Sequence, residues 1–521
     1  MFLKENLPKY IFLFLIIGLI FFLNLKPPLD PDLGWHLRSG QDLIQQKTIP
    51  RLDPYSYTMP DWERESHEWL TSGVIYLIYT KWGLFILSII FALITTLAFF
   101  LISRLTKAKI EYSLLAVLLG SLGSLPITGI RVQMITLLGL AILLFILFRF
   151  RQDQNKKTIY FLPLLFFIWV NLHGGFSLGL FVLGLFLFFE GAKITFFWLR
   201  TKYQSKKTIP KIKLGFLQNK LALVINFFKR KLPDNELVKE SLTLQSWLKL
   251  VYVSFFSFLL TFINPYGYKV YSLIITIIRD NYGRARIGEW QPFSVSSPIG
   301  WEFLMYLALL AILVLIYFKK IDLTLLGLGT VFAFLAFSSW RNMPVLIIMT
   351  IPLWVYIVKN ATDPVLPALL KKKFVLFLLL LAVAIIGYQQ TSTAWAVSHN
   401  PDLLAKAGGY PKEAVEYIKA NPEKFQGNMY NEYNWGGYLI WQLPEHKVFI
   451  DGRMPHLKIG DRHIFKDFND LQELRDPKRI IEKYNIDWLL IYNNRLLGSY
   501  LPSEGFKKVY EDDLSAIFIK E

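Results

Sequence analysis

Hydropathy along the chain falls into eleven apolar stretches separated by polar connections, near 10–25, 83–104, 112–129, 132–149, 158–171, 176–198, 247–263, 301–318, 322–339, 343–358 and 373–390. About 20 apolar residues in a helix cross the roughly 30 Å of a bilayer's hydrocarbon. The pattern therefore predicts a polytopic α-helical membrane protein with about eleven transmembrane helices. Two shorter apolar segments, 69–81 and 267–279, read as interfacial helices, the first leading into the second span. The opening run from Tyr10 to Leu25 exits through Lys26-Pro27-Pro28 with no small-residue cleavage site, so an uncleaved first span is expected.

From about 391 the periodicity changes. PKEAVEYIKAN, opening at Pro411, places Ala414, Val415 and Ile418 on one helical face. KVFID (447–451), WLLIY (488–492) and the closing FKKVY…SAIFIK pair read as strands, and 467–484 reads as a helix. The alternation predicts a small α/β domain over 391–521, following a membrane domain over 1–390. In Asn434-Trp435-Gly436-Gly437-Tyr438 the glycines are expected at tight turns. There is no internal repeat and no low-complexity tract.

Charge orients this plan. Arg104, Lys107, Lys109, Arg149, Arg151, Lys156, Lys157, Lys319, Lys320 and Lys371 to Lys373 fall on one side, with the loop 200–246, which holds eleven bases against three acids. The first long loop, 26–82, holds six bases against eight acids within 26–81, and the tail 391–521 holds seventeen against nineteen. Basic loops stay cytoplasmic, which places the N-terminus inside and the first loop and the tail outside. The 200–246 loop is expected to lie as a surface helix on the cytoplasmic leaflet.

Composition agrees. The 521 residues are 54% hydrophobic and 18% charged, against about 25% charged in soluble chains, and the mean hydropathy is +0.38. An ordinary cytosolic enzyme, a fibre and a disordered chain are excluded. The net charge of +18 is accounted for by the cytoplasmic loops, so nucleic acid is not an expected partner. The chain has no cysteine, which removes disulfides, thiolate metal sites and a cysteine nucleophile.

With this orientation seven polar clusters share the outer face: Asp30-Pro31-Asp32-Leu33-Gly34-Trp35-His36, Ser66-His67-Glu68-Trp69, Arg131-Val132-Gln133, Asn171-Leu172-His173, Asn264-Pro265-Tyr266-Gly267, Gly288-Glu289-Trp290 and Trp340-Arg341-Asn342. Polar groups near membrane depth are expensive and mark sites, so an extracytoplasmic cavity is expected. Asp30 or Asp32, stiffened by Pro27, Pro28 and Pro31, can serve as general base to a hydroxyl acceptor or hold a divalent cation such as Mg or Mn through oxygen. Arg131 and Arg341 suit a phosphate leaving group. Tryptophans 35, 69, 290 and 340 suit sugar stacking or the headgroup belt. Plainer roles stand beside these: Asp30 and Asp32 as helix caps, His173 satisfying a helix end, Arg341 reaching to headgroups. In the tail, Asp451 and Arg453 sit at a strand end, where they can hold a donor or acceptor headgroup, form a surface ion pair, or dock the tail over the membrane part.

On these residues the chain resembles the GT-C superfamily of polytopic glycosyltransferases, which includes protein mannosyltransferases, oligosaccharyltransferase catalytic subunits and the aminoarabinose transferase. Asp30-Pro31-Asp32 stands where that group carries its acidic first-loop motif. DPDLGWHLRSG, SHEWL, WVNLHGGF, NPYG, GEW and WGGYLIW…KVFIDGR are more closely similar to a set of bacterial glycosyltransferase-like membrane proteins, over nearly the whole chain. The resemblance implies a polyprenyl-phosphate-linked sugar donor, inversion at the sugar carbon, and Asp30 or Asp32 as base. The acceptor would be a glycan, lipid or protein, and His36, His67, Glu68, Glu289 and Trp290 would join the substrate site. Two departures follow: Asp32 is followed by Leu33 instead of a second acid, and no WWDYG-type motif is present, which disfavours peptide N-glycosylation. A flippase or transporter for lipid-linked glycans is the second reading. It is disfavoured by the lack of repeated halves, with Glu190 the main acid within a span. A non-enzymatic envelope polysaccharide assembly factor is the third.

Overall fold

The computed structural model describes all residues except 1, 107, 206–240, 293, 295–299, 318–320, 363–367, 370–371 and 461. The surface helix expected within 200–246, together with Lys107, Lys319, Lys320 and Lys371, falls largely outside the described residues. Each of the eleven apolar stretches lies on a helix: Phe2–Asn24, Trp69–Ser103, Ile110–Ser124, Gln133–Gln152, Leu162–Leu172, Phe176–Ser205, Leu244–Leu260, Gly300–Tyr317, Leu323–Ser338, Met343–Thr362 and Lys373–His399. By length and composition five of these can cross a membrane, and the other six have apolar runs of 10–17 residues. The segment 69–82 joins the second span through one break at Gly83, whose φ of 79° and ψ of −177° suit only glycine. Lys269–Arg279 is the second expected short helix.

At one end of the bundle four charges, three of them buried, tie three helices together. Arg151 donates to Asp322 at 2.7 Å and to Glu190 at 3.4 Å, and Lys193 pairs with Glu190 at 2.7 Å and Asp322 at 2.9 Å. Two cations thus meet two carboxylates, and Thr324 adds a hydroxyl donor to Glu190 at 2.7 Å. Glu190, the acid that a transport reading would use, is fully neutralised.

At the other end sits a four-stranded sheet, β1 Asn428–Asn431, β2 Ile486–Tyr492, β3 Phe506–Glu511 and β4 Ser515–Lys520, in the order β1-β2-β4-β3. β1 runs parallel to β2, and β4 is antiparallel to both β2 and β3. The helix Lys412–Ala420 buries Ala414, Val415 and Ile418 as its periodicity requires. First-loop residues belong to the same apolar cores as this tail: Met59 and Trp62 pack with Tyr430 and Phe449, and Trp35 and Tyr55 with Trp435 and Val448.

Three local expectations are corrected. KVFID is not a sheet strand. It lies against the first loop through a single bridge between Ser56 and Val448, with Val448 N–H donating to Tyr55 O at 2.9 Å. The Asn431 side chain accepts from Phe449 N–H at 2.8 Å, doing the work a neighbouring strand would have done. The parallel partner of β2 is instead the short, polar-ended β1, which has too little alternation to be read. Residues 467–484 form two helices, Ile464–Gln472 and Pro477–Lys483. Leu474 and Asp476 between them have φ of 56° and 52°, and a residue preceding proline resists the α conformation. Gly436 and Gly437 are not in turns: they open the helix Gly436–Gln442. The missing side chain of Gly437 lets that helix lie directly on the helix Leu33–Gln46, since a Cβ on Gly437 would stand 2.2 Å from Pro31 O and one on Gly34 2.1 Å from Gly437 O, while a Cβ on Gly436 would stand 2.3 Å from Ile450 O.

Gly437→Ala should therefore destabilise the folded protein by about 1–3 kcal/mol, read as a lower melting temperature of the detergent-solubilised chain. Gly184→Ala, where an added Cβ meets nothing within 4 Å, should be neutral or slightly stabilising. Equal melting of the two variants would contradict the close-contact account.

Candidate functional site

The first span ends at Asn24 and the chain turns through Pro27, Pro28 and Pro31. Asp30 closes the turn, its Oδ1 accepting from Asp32 N–H at 2.8 Å. Asp32 occupies the cap position of the helix Leu33–Gln46 yet makes no side-chain cap bond. Its Oδ1 accepts instead from the indole N–H of Trp35 at 2.9 Å. The backbone of Gly452 presses against the same carboxylate, where a Cβ would lie 2.0 Å from Oδ1. Burial, and after it the negative charge of Asp30, push Asp32 up to about 7. Burial also raises Asp30, against the opposing charge of Arg131.

From Asp30 an alternating line of charges crosses the bundle. Asp30 pairs with Arg131 Nε at 3.1 Å, Arg131 donates to Glu289 at 2.9 Å, and Arg341 donates to the other Glu289 oxygen at 2.8 Å. Arg341 stacks over Trp290 at 4.9 Å, and His456 of the tail meets that indole edge-on at 5.4 Å. His456 is held in turn by Asp280 at 2.7 Å. Helix ends far apart in sequence thus share one electrostatic line in which neither arginine lacks a carboxylate.

Beside it lies a histidine shell. Glu68 receives three imidazoles, His173 at 3.2 Å, His67 at 3.4 Å and His36 at 3.7 Å. Two of the outer nitrogens are held too: His36 Nδ1 faces Ser72 Oγ at 2.9 Å, and His173 Nδ1 faces Thr136 Oγ1 at 2.5 Å. Burial alone would raise Glu68, but the charge of His67 and the hydrogen bonds of His173 and His67 hold it well below the usual carboxylate range. Burial would lower His67, and the charge of Glu68 reverses this into a rise. Burial carries His36 down to about 4 and also lowers His173.

A cavity of about 180 Å³ is lined among others by Asp32, His67, Glu68, Glu289, Trp290 and Arg341, with the rest of the charge line and of the shell behind them. The structure thereby brings together Asp30, Asp32, Trp35, His36, His67, Glu68, Arg131, His173, Glu289, Trp290 and Arg341. Trp35 is buried, stacked on His36 at 3.6 Å. Trp69 and Trp340 spend their N–H groups on Asn171 at 3.2 Å and Gly288 O at 2.6 Å. Arg453 borders the same cavity, but its guanidinium is saturated. It holds Asp451 through Nε and Nη2, both at 2.6 Å, and Asp53 through Nη1 at 2.5 Å. Among the described residues no group of three or more His, Cys, Asp or Glu is disposed to hold a metal ion. Asp30 is engaged by Arg131 and by the Asp32 backbone.

The sequence reading missed Asp53, Arg64, Asp280, Tyr433 and His456. Asp53-Pro54 has the form of an ordinary turn, and His456 belongs to no motif. Only its position three residues after Arg453 offered a hint.

Glu68→Gln should lower the melting temperature at neutral pH, a loss of about 2–4 kcal/mol if the three imidazoles lose their shared charge. A carboxylate depressed on folding stabilises above its unfolded value, here 4.5, and loses that contribution as pH falls through the folded value. The gap between wild type and variant should therefore shrink below about pH 4.5. A gap that is constant with pH would contradict this.

No family model matches the chain, and no curated protein matches it. Among solved structures it is similar to the crystal structure of the Archaeoglobus fulgidus oligosaccharyltransferase in complex with Zn and sulfate, with 12% identity and a TM-score of 0.44. The match covers 92% of this chain and 67% of that one. A likeness that weak decides nothing about chemistry, which rests on the geometry above.

Proposed function

We propose that the protein is an inverting membrane glycosyltransferase that moves a sugar from a polyprenyl-phosphate donor to a hydroxyl acceptor outside the cytoplasm. The observation that carries this reading is Asp32: a largely buried carboxylate pushed up to about 7, bordering a cavity with Arg341. A general base works best with its pKa near the working pH. Asp32 takes the acceptor's hydroxyl proton as that oxygen bonds to the anomeric carbon. The bond from that carbon to the phosphate oxygen breaks, and its electron pair leaves with the polyprenyl phosphate. Arg341 faces the developing charge, as guanidinium suits phosphate, and Arg131 stands behind it across Glu289.

In this reading Asp30 anchors Arg131 and, through its charge, keeps Asp32 basic. Trp290 supplies the aromatic platform for the sugar. His36, His67, Glu68 and His173 hold the cavity wall behind Asp32, and Trp35 orients its carboxylate. The saturated Asp451–Arg453–Asp53 cluster docks the tail, residues 391–521, over the membrane part, and binds no headgroup. The charge bias of the loops supports a cytoplasmic N-terminus and an extracytoplasmic tail. The resemblance of Asp30-Pro31-Asp32 to the acidic first-loop motif of the GT-C group supports the donor class. Neutralisation of Glu190 by Lys193 and Arg151 supports transfer over transport.

The test is sugar transfer by purified protein from radiolabelled membrane lipid extract. Asp32→Asn should lower the rate by about 10²–10⁴-fold. Wild-type kcat/KM should climb as pH rises to about 7 and level off above it, because only the ionised carboxylate is a base. Asp30→Asn removes a neighbouring negative charge, so its profile should move to lower pH with a smaller loss. Full activity in Asp32→Asn would defeat the assignment.

A further inference from the structure

A second and larger cavity, about 810 Å³, adjoins the first: both are lined by Arg64 and Glu65. Its size lies within the range of small-ligand sites. Lys47, Arg51, Arg64 and Lys269 line it against Glu63 and Glu65, and Tyr266 of the Asn264–Gly267 turn contributes an aromatic side. The motif NPYG thus finds a place that the transfer chemistry leaves unused.

Arg64 is the informative member. It is 6% exposed, yet among the described residues no carboxylate is in ion-pair contact with it. Its guanidinium makes only two long bonds to Ser39 Oγ, both 3.4 Å, and lies over the rings of Trp35 and Tyr55 at 5.4 and 5.6 Å. Asp53 and Asp451, the acids whose charge it feels, are already bound by Arg453. A buried cation is costly unless paired, and an anion arriving from the cavity supplies the missing contact. Among the described residues Lys269 is held by Glu63, in a pair whose side chains are 46% and 66% exposed. Such a pair contributes little and yields readily to a competing anion.

We infer that this groove, Lys47–Arg51–Arg64–Lys269, binds an anionic stretch of the glycan acceptor, bearing carboxylate or phosphate groups, and leads it to the cavity that holds Asp32. The inference rests on the transferase reading for the word acceptor, but the binding itself does not depend on it. A neutral glycan or an uncharged lipid headgroup gains nothing from four cations, whereas a chain with repeating negative charge meets several at once.

The experiment titrates the full detergent-solubilised chain with three probes of matched length: an oligogalacturonate, a glycerol-phosphate oligomer and a neutral dextran. Binding of at least one anionic probe, weakening as salt rises, with none for dextran, is the expected result. Lys47→Gln combined with Arg51→Gln, both at the exposed rim, should weaken it roughly tenfold, as two partly screened charges would, without changing the melting temperature. Arg64→Gln should weaken it further. The anionic probe that binds tells carboxylate from phosphate. Equal binding of dextran, or rim variants that bind like wild type, would overturn the inference. Asp32→Asn separates the two claims. Anionic binding intact in that variant, with no sugar transfer by wild type from any donor, would sink the transferase and leave the groove. Transfer by wild type without anionic binding would sink the groove alone.

Discussion

The site depends on how closely the tail's backbone approaches the Asp30–Gly34 turn. Gly437 and Gly452 bring main chain to where any side chain would collide with Pro31 O or with the carboxylate of Asp32. This approach removes water from Asp32 and so moves its proton affinity toward neutrality. An acid at a membrane surface without that cover would stay ionised and be a weak base. The burial is shared work: the first loop contributes the acid and the tail contributes the lid of backbone over it.

Such burial must be balanced electrically, and it is done by alternation. Asp30, Arg131, Glu289 and Arg341 follow one another in sign, and Asp53 and Asp451 flank Arg453. Glu68 gathers three imidazoles, of which His67 is favoured in its charged form. Each chain of pairs crosses between elements far apart in sequence, so the same contacts that offset the cost of burying charge also hold helix ends and tail in one geometry. Arg64 departs from the rule by lacking a direct carboxylate, which makes it the place to look for a ligand's charge.

The two ends of the bundle use ion pairs differently. Arg151, Lys193, Glu190 and Asp322 pair two charges of each sign with the cations buried, and none of the four borders a cavity described above. At the tail end the pairs are partly open, with Arg131, Glu289 and Arg341 between 23% and 32% exposed. The quartet sets helix register. An open line beside a cavity can exchange partners with a ligand.

Much of this was legible in the residues. Apolar runs long enough for a bilayer predict their helices because in hydrocarbon the backbone must satisfy itself locally. Polar clusters that share a parity of loops must emerge at the same end, which is why Asp30, Glu68, Arg131, His173, Glu289 and Arg341 could be grouped before any coordinates. Local signals failed where the partner is remote. Asn431 replaces a strand for Phe449, and Gly437 makes room for a neighbouring helix and Gly436 for the Ile450–Asp451 backbone, neither of them in a turn. Arg453 could be paired with Asp451 from the sequence, but not with Asp53, 400 residues away. Sequence alone determined the long apolar helices and which polar clusters share one end of them. Tertiary structure alone decided which acid is buried, which cations are already spent and which one is not, because desolvation and charge pairing are set by distances between residues that the chain order does not constrain.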